Sequence, residues 1–275
     1  MVLLLLSIRV ENYRKTIVVF TLAMGVFHIF KVLPYWLKSA GQKVENHESY
    51  EKFNIFYANI NSQNVEKEKL IKYLEKARPS IALLLEVNSS WAKELKKIKE
   101  VFPYTKAIVQ EGNFGIAILS QSLIKIKDVF VDRENQIPAL FVQVTQNGVD
   151  LNVLLLHAHP PLGKYATIVR DQYLEMLAQK ISEISDSLLV CGDFNSGPWT
   201  SIFESFLSKS QLQMGGVVRS WPEVSVFPKL PIDHCLAKGV EILQYEKGPR
   251  IGSDHRPLLV QLTTSMRGVA GEINP

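Results

Sequence analysis

Leu188-Leu189-Val190-Cys191-Gly192-Asp193-Phe194-Asn195 sets four apolar residues directly before a glycine, an acid and an amide. The continuous apolar run Leu188–Cys191 marks Ser187–Cys191 as a strand buried inside a sheet. Gly192 permits a close backbone approach at the strand's end. Asp193 and Asn195 are two residues apart, so in continued extended geometry they point to the same side. One carboxylate and one amide then converge at the rim of a buried sheet. The competing reading is a plain strand-end turn, for which Gly-Asp and Asn-Ser are ordinary choices.

Outward from this run the chain alternates between strand-like and helix-like stretches. Phe53–Ile60, Ser80–Val87, Gly115–Ser120, Ala139–Thr145, Leu151–His157 and Leu258–Leu262 read as strands. Asn147-Gly148 marks a hairpin turn between two of them. Val65–Lys76, Trp91–Val101 and Ile168–Ile184 carry apolar residues at helical spacing, and Arg78-Pro79 and Phe102-Pro103 stop the first two. Strands come in neighbouring pairs with helices between some of them. That pattern predicts an α/β fold of two packed sheets flanked by helices rather than a uniformly alternating parallel sheet.

The N-terminus is different in kind. Thr16 to Leu37 is mostly apolar, ends near Tyr35 and Trp36, and is long enough to cross a bilayer as a helix. Lys31 and Pro34 interrupt it. We read residues 1–43 as a membrane segment and 44–52 as a linker. A folded domain over 53–265 and a tail over 266–275 follow. A cleaved signal peptide and a core helix are the alternatives, although Lys38-Ser39-Ala40-Gly41 lacks a clean small-x-small cleavage site. Arg9, Arg14 and Lys15 favour an N-terminus that stays inside, which puts the domain outside the cytoplasm in a single pass. Lys31, Lys38 and Lys43 on the other flank weaken that bias.

The net charge of +4 is unevenly placed. Residues 1–43 hold six basic residues and one acid, and the remainder holds 25 basic and 26 acidic. The domain is thus near neutral and lacks the overall basic excess of a duplex-binding protein. Two cysteines, Cys191 and Cys235, exclude a disulfide framework; they could form at most one bridge, and two buried free thiols are the expectation. No phosphate loop of the nucleotide triphosphatase type and no zinc-type Cys–His spacing occurs.

Further polar residues sit at the edges of apolar runs. Glu86 follows Ile81-Ala82-Leu83-Leu84-Leu85, where an ionised carboxylate needs a partner or a metal. Asn59 and Asn61 end the first strand, and His157 and His159 end another. Asp233 stands in an apolar setting, and Asp254-His255 precedes the last strand. His255 is the natural partner for Asp233, since a carboxylate on one ring nitrogen frees the other for work. Taken singly, each residue could equally be a cap, a turn or a solvated acid.

Taken in order, the set resembles the endonuclease/exonuclease/phosphatase superfamily. The matching pieces are Tyr-Ala-Asn59, Leu-Leu-Leu-Glu86-Val, Gly-Asn-Phe-Gly115-Ile-Ala-Ile-Leu-Ser120, His-Ala-His159-Pro, Gly-Asp193-Phe-Asn195, Ile-Asp233-His and Ser-Asp254-His255-Arg-Pro. The resemblance implies a four-layer α/β sandwich with a phosphoester-hydrolysing site at one rim. It implies that Glu86, helped by Asn59 and Asp254, binds Mg²⁺ or Mn²⁺. It implies that Asp193 orients or deprotonates the attacking water and that Asn195 holds that water or a phosphate oxygen. His255, oriented by Asp233, would contact the phosphate, with His159 assisting from the opposite side. Two departures stand out: Leu85 where the family usually has Gln, and Asn61 where some nucleases have Asp. Hard oxygen donors with few histidines suit Mg²⁺ or Mn²⁺ rather than Zn²⁺. The expected substrate is a phosphoester of a lipid, a small molecule or a nucleic acid, with no obligate protein partner evident. An inactive binding module and a structural membrane protein are the rivals from other classes.

Overall fold

Alternation along the strands builds the layers. In Phe53-Asn54-Ile55-Phe56-Tyr57 the odd-numbered residues face one way and Phe56 and Ala58 the other, and both sets are buried from Ile55 onward. A strand buried on both faces must lie between a second sheet and a layer of helices. A computed structural model describes residues 2–37, 51–132, 134–224 and 228–264, the first segment with side chains over 13–35 only.

The domain's first sheet contains β1 (Glu51–Asn59), β2 (Ile81–Leu85), β3 (Tyr104–Ile108), β4 (Ile116–Ser120), β11 (Val240–Lys247) and β12 (Leu258–Thr264), in the order β11-β12-β1-β2-β4-β3. The second contains β5 (Leu123–Asp132), β6 (Ile137–Gln146), β7 (Val149–His157), β8 (Leu188–Asp193), β9 (Gln213–Met214) and β10 (Asp233–Lys238), in the order β5-β6-β7-β8-β10-β9. Each sheet is mixed: β1–β2 and β7–β8 are parallel, and the other pairs are antiparallel. Asn147 and Gly148, both at positive φ (51° and 79°), turn β6 into β7 as the Asn-Gly signal predicts.

Between the sheets lies a core that includes Tyr57, Leu83, Leu85, Ile118, Val142, Val153, Leu155 and Leu189. The outer face of the first sheet packs against α2 (Lys67–Ala77) and α3 (Ser89–Leu95) through Leu70, Leu74 and Trp91. The second packs against α4 (Lys164–Ser182) and α5 (Ser201–Ser210) through Tyr173, Leu177, Phe203 and Phe206. The result is the expected four-layer α/β sandwich.

Two expectations need correction. Cys191 and Cys235 are not free thiols but a disulfide, formed between residues directly opposite each other on β8 and β10. The single bridge was the less expected reading because the stretch containing Cys235 was not read as a strand. The N-terminal helix α1 runs from Val2 to Leu37, straight through the polar stretch Arg9–Lys15 rather than starting at Thr16. Its segment Tyr13–Tyr35, 23 residues of mean hydropathy 2.0, is long and apolar enough to cross a membrane by length and composition, a test that a signal sequence also passes. The chain divides into two compact units, Met1–Ser39 and Ala40–Pro275. Most of the expected linker and all of the expected tail lie outside the described residues, and β1 starts at Glu51, two residues before the expected domain boundary.

Candidate active site

Where the alternation of the inter-sheet face runs out of apolar residues, the site begins. On β1 the series Phe53, Ile55, Tyr57 ends in Asn59; on β7 Leu151, Val153, Leu155 ends in His157; on β8 Leu189, Cys191 ends in Asp193. Asp233 opens β10 opposite Asp193. Asn59, His157, Asp193 and Asp233 therefore emerge at one end of the sandwich, each at most 3% exposed.

The side chains form a connected set. Asn59 Nδ2 donates to Glu86 Oε1 (3.0 Å) and to Asp193 Oδ2 (3.4 Å). Its Oδ1 accepts from the Asn61 backbone N–H. Ser62 N–H donates to Glu86 Oε2 at 2.9 Å. Asp233 accepts from the Tyr57 hydroxyl at 2.6 Å through one oxygen and pairs with His255 Nδ1 at 2.7 Å through the other. That leaves His255 Nε2 3.8 Å from Asp193 Oδ2, with His157 Nε2 3.7 Å from the same oxygen. Asp254 accepts from Asn61 Nδ2 (2.8 Å) and Trp221 Nε1 (3.2 Å).

Backbone strain concentrates here. Asn61 (φ 56°), Glu86 (φ 65°) and Asn195 (φ 47°) are left-handed without being glycine, at a cost of about 1–2 kcal/mol each. Asn195 does not continue the extended geometry of β8. Its N–H folds back onto Asp193 Oδ1 (2.9 Å) while its amide donates to Ala158 O (2.9 Å), so it braces the loop beside Asp193 instead of projecting parallel to it. His159 lines the same cleft, with Nδ1 on Pro160 O (2.9 Å) and its ring near Phe114.

Sequence reasoning singled out His159 but set aside His157, the histidine that reaches Asp193. The period-two alternation of β7 could have found it. Tyr57 and Trp221 were also missed. Nothing in sequence separates Tyr57 from an ordinary core aromatic, since only the tertiary pairing aims its hydroxyl at Asp233.

Charge balance dominates the electrostatics. Burial, reinforced by Asp233, pushes the Asp193 carboxyl upward. Burial likewise raises Glu86. It opposes the charge on His255, but the Asp233 carboxylate overrides it and lifts that imidazole to about 10. Asp233 is held low by His255 despite its burial. His157 falls to about 4 through burial and the neighbouring His255 charge. Asp193, Asp233 and His255 offer ligand atoms within 4.8 Å of one another. Four carboxylates gather around a single imidazolium, which is the charge environment that a divalent cation stabilises.

A pH dependence of stability follows. His255 holds a proton in the folded protein that the unfolded chain releases near its ordinary value of 6.5, and Asp193, shifted upward, acts with the same sign. Their contribution is complete below the unfolded values and is lost as pH rises through the folded ones. The metal-free protein should therefore lose stability as pH rises, beginning above 3.8 through Asp193 and between 6.5 and about 10 through His255, at up to about 1.4 kcal/mol per pH unit for each proton involved. Thermal melts should show this alkaline limb, and His255→Gln should flatten it.

Gly115 sets the position of Glu86. A Cβ there would lie 2.0 Å from the Val87 carbonyl oxygen, while Val87 N–H donates to Gly115 O at 2.9 Å. Gly115→Ala must therefore displace the backbone next to Glu86. We expect a stability loss of about 1–3 kcal/mol, measured by denaturant titration.

A model of the Endonuclease/Exonuclease/phosphatase family matches residues 56–255. Two UPF0294 proteins of Vibrio cholerae strains are 33% identical over 119 residues, which is 42% of this chain; the match spans 41% of the length of those relatives. Among solved structures, D. rerio TDP2 complexed with single-strand DNA product superposes with a TM-score of 0.61 at 17% identity, covering 78% of this chain and 100% of that one. The human Nocturnin catalytic domain with bound sulfate gives 0.58 at 15% identity, covering 78% and 98%. At these identities the two structures speak for the fold.

Proposed function

Because the chain belongs to the Endonuclease/Exonuclease/phosphatase family, we propose that it is a divalent-metal-dependent phosphodiesterase in which Asp193 activates the attacking water. The observation that carries this reading is the convergence of Glu86, Asp193, Asp233 and Asp254 with His255 at the rim of the sandwich.

Glu86 and Asp254 would hold Mg²⁺ or Mn²⁺. Asp233, wholly buried between the Tyr57 hydroxyl and His255 Nδ1, would serve as the orienter of that imidazole. Asn59 presents its amide nitrogen to Glu86 and Asp193 and fixes the two carboxylates rather than ligating the ion. When bound, the cation supplies neutralisation of charge on the phosphoryl oxygens. Asp193, pushed upward by burial, is suited to accept the proton of a water. His255, charged and oriented through Nδ1, directs Nε2 into the cleft, where it stabilises the phosphoryl oxyanion. His157, neutral, contacts Asp193 from the second sheet. Asn195 braces this loop, and His159 lines the outer part of the cleft.

The test is hydrolysis of bis-p-nitrophenyl phosphate by the full chain in detergent, with Mg²⁺ and with EDTA. Metal-dependent turnover supports the reading; its absence across a broad phosphodiester panel sinks it and favours a binding module. A nuclease is the second reading, and the product DNA bound to D. rerio TDP2 speaks for it. Single-stranded DNA belongs in the same assay.

We also assign α1 as a single-pass anchor with the domain outside the cytoplasm. Basic residues before the apolar segment support this, as does the Cys191–Cys235 disulfide, which suits an oxidising compartment. Reporter fusions at the C-terminus that are active only when exported would test the orientation, and activity in the cytosolic reporter would refute it.

A further inference from the structure

The cleft that holds the catalytic carboxylates has a volume of about 520 Å³ and a mixed lining. Glu86, Asp193, Asp254 and His255 line it together with Asn113, His157, His159 and Asn195. Phe114, Pro160, Pro161, Leu162, Trp221, Leu230 and Ile232 supply its apolar surface, with Phe114 against the His157 and His159 rings. No lysine or arginine is among the described residues lining it.

Four basic side chains on segments near it already have partners. Lys229, Arg250 and Arg256 all converge on Glu223. Arg170 is bound to Asp171 and to the Asn195 carbonyl. A nucleic acid strand brings one negative charge per nucleotide and needs a row of cations to receive it. This cleft offers apolar surface beside its carboxylates and no row of cations among the described lining residues.

Both apolar walls are fixed before any ligand arrives. Pro160 and Pro161 restrict their own backbone, and their carbonyls accept from Leu162 N–H (2.8 Å) and Gly163 N–H (3.1 Å). The loop thereby holds Leu162 out with 83% of its surface exposed. Opposite it, Leu230 and Trp221 are joined as an isolated antiparallel bridge. A large exposed leucine on a braced loop at the mouth of an active cleft has no role in the core and is available to contact a ligand.

We propose that the apolar surface of the cleft is a subsite for a hydrocarbon substituent, so that the substrate is a single phosphodiester carrying an alkyl chain, the chemistry of a membrane phospholipid, and not a nucleic acid strand. This rests on the phosphodiesterase reading and adds the substrate class to it. Each buried methylene contributes up to about 0.8 kcal/mol, about fourfold at full burial and about twofold in a half-open cleft.

The experiment uses the full chain in one maltoside detergent and a series of p-nitrophenyl alkyl phosphates, ethyl to hexyl, with Mg²⁺. We expect kcat/KM to rise at least tenfold across the series and the hexyl-to-ethyl ratio to fall severalfold in Leu162→Ser and in Leu230→Ser. Partition into micelles is common to all three proteins and cancels in that comparison. A parallel titration of ethylphosphonate and hexylphosphonate reads binding without turnover, with the hexyl compound expected to bind at least tenfold tighter. Turnover of all esters with no chain-length dependence, or a ratio unmoved by both substitutions, overturns the subsite and leaves the hydrolase intact. Faster cleavage of single-stranded DNA than of the hexyl ester also overturns it. If no ester is cleaved, the hydrolase reading falls, and equal binding of the two phosphonates removes the subsite with it.

Discussion

Asp193→Asn should lower kcat on a phosphodiester by about 10³-fold or more, with KM changed little and the fold intact. The asparagine keeps the shape of the side chain and an oxygen to accept from the Asn195 N–H, now 2.9 Å from Asp193 Oδ1. It loses the capacity to take a proton and the charge that faces His157 and His255 at 3.7 and 3.8 Å. Removing a carboxylate whose acidity burial has already weakened should also raise rather than lower stability in the metal-free state, because the shifted carboxyl is a cost carried for function. The pairing of reduced turnover with an unchanged or higher melting temperature separates this prediction from simple damage. A variant with full metal-dependent activity would remove Asp193 from the chemistry. His255→Ala should act in the same direction on kcat but differently on stability, since it takes from the wholly buried Asp233 carboxylate its charged partner and leaves it the Tyr57 hydroxyl.

The parts legible in sequence were those in which local pattern and final environment agree. Leu188–Cys191 is apolar on both faces and is buried on both faces, so a single run gave the strand, its depth and the acid at its end. The edges were harder. In β5, Leu123–Asp132, charged and apolar residues mix around a bulge between Ile126 and Asp128, and the strand pairs on one side only, with β6. An edge strand can expose much of its surface, and the apolar run that betrays a central strand is then missing. β10 was hidden for another reason. It opens with Asp233 and His234, which read as loop residues, yet both are buried: Asp233 is held by Tyr57 and His255, and His234 by the Ser196 carbonyl and the Phe203 ring. Within the site, residue identities were legible because buried acids at strand ends demand partners. The partners themselves were less so. Tyr57, 176 residues from Asp233, becomes a ligand of that carboxylate only through the packing of one sheet on the other.

The missed strand also concealed the disulfide, and breaking it should have the largest effect on stability of any change considered. Cys191 and Cys235 are 44 residues apart, so in the loop-closure account the bridge contributes about 4 kcal/mol, equivalent to roughly 8–16 °C in melting temperature for a domain of this size. Cys191→Ala/Cys235→Ala should show that loss in thermal melts. Both sulfurs are buried, at 0% and 1% exposure, so a reductant should act on the native protein only slowly, through transient opening, and quickly in denaturant. The catalytic consequence comes from register. Cys191–Cys235 is two steps from Asp193–Asp233 along the same strand pair, and in a pleated sheet two steps return to the same face. The covalent link therefore stands directly beneath the two carboxylates and ties their strands at fixed separation against their mutual repulsion. Removing it should lower kcat as well as stability, and Mg²⁺ should recover part of the stability by neutralising the same repulsion. Titration of two free thiols in the unfolded, unreduced protein would show that the cysteines are unpaired, and a double variant that melts and turns over like the parent would show that the strands hold their acids together without the bridge.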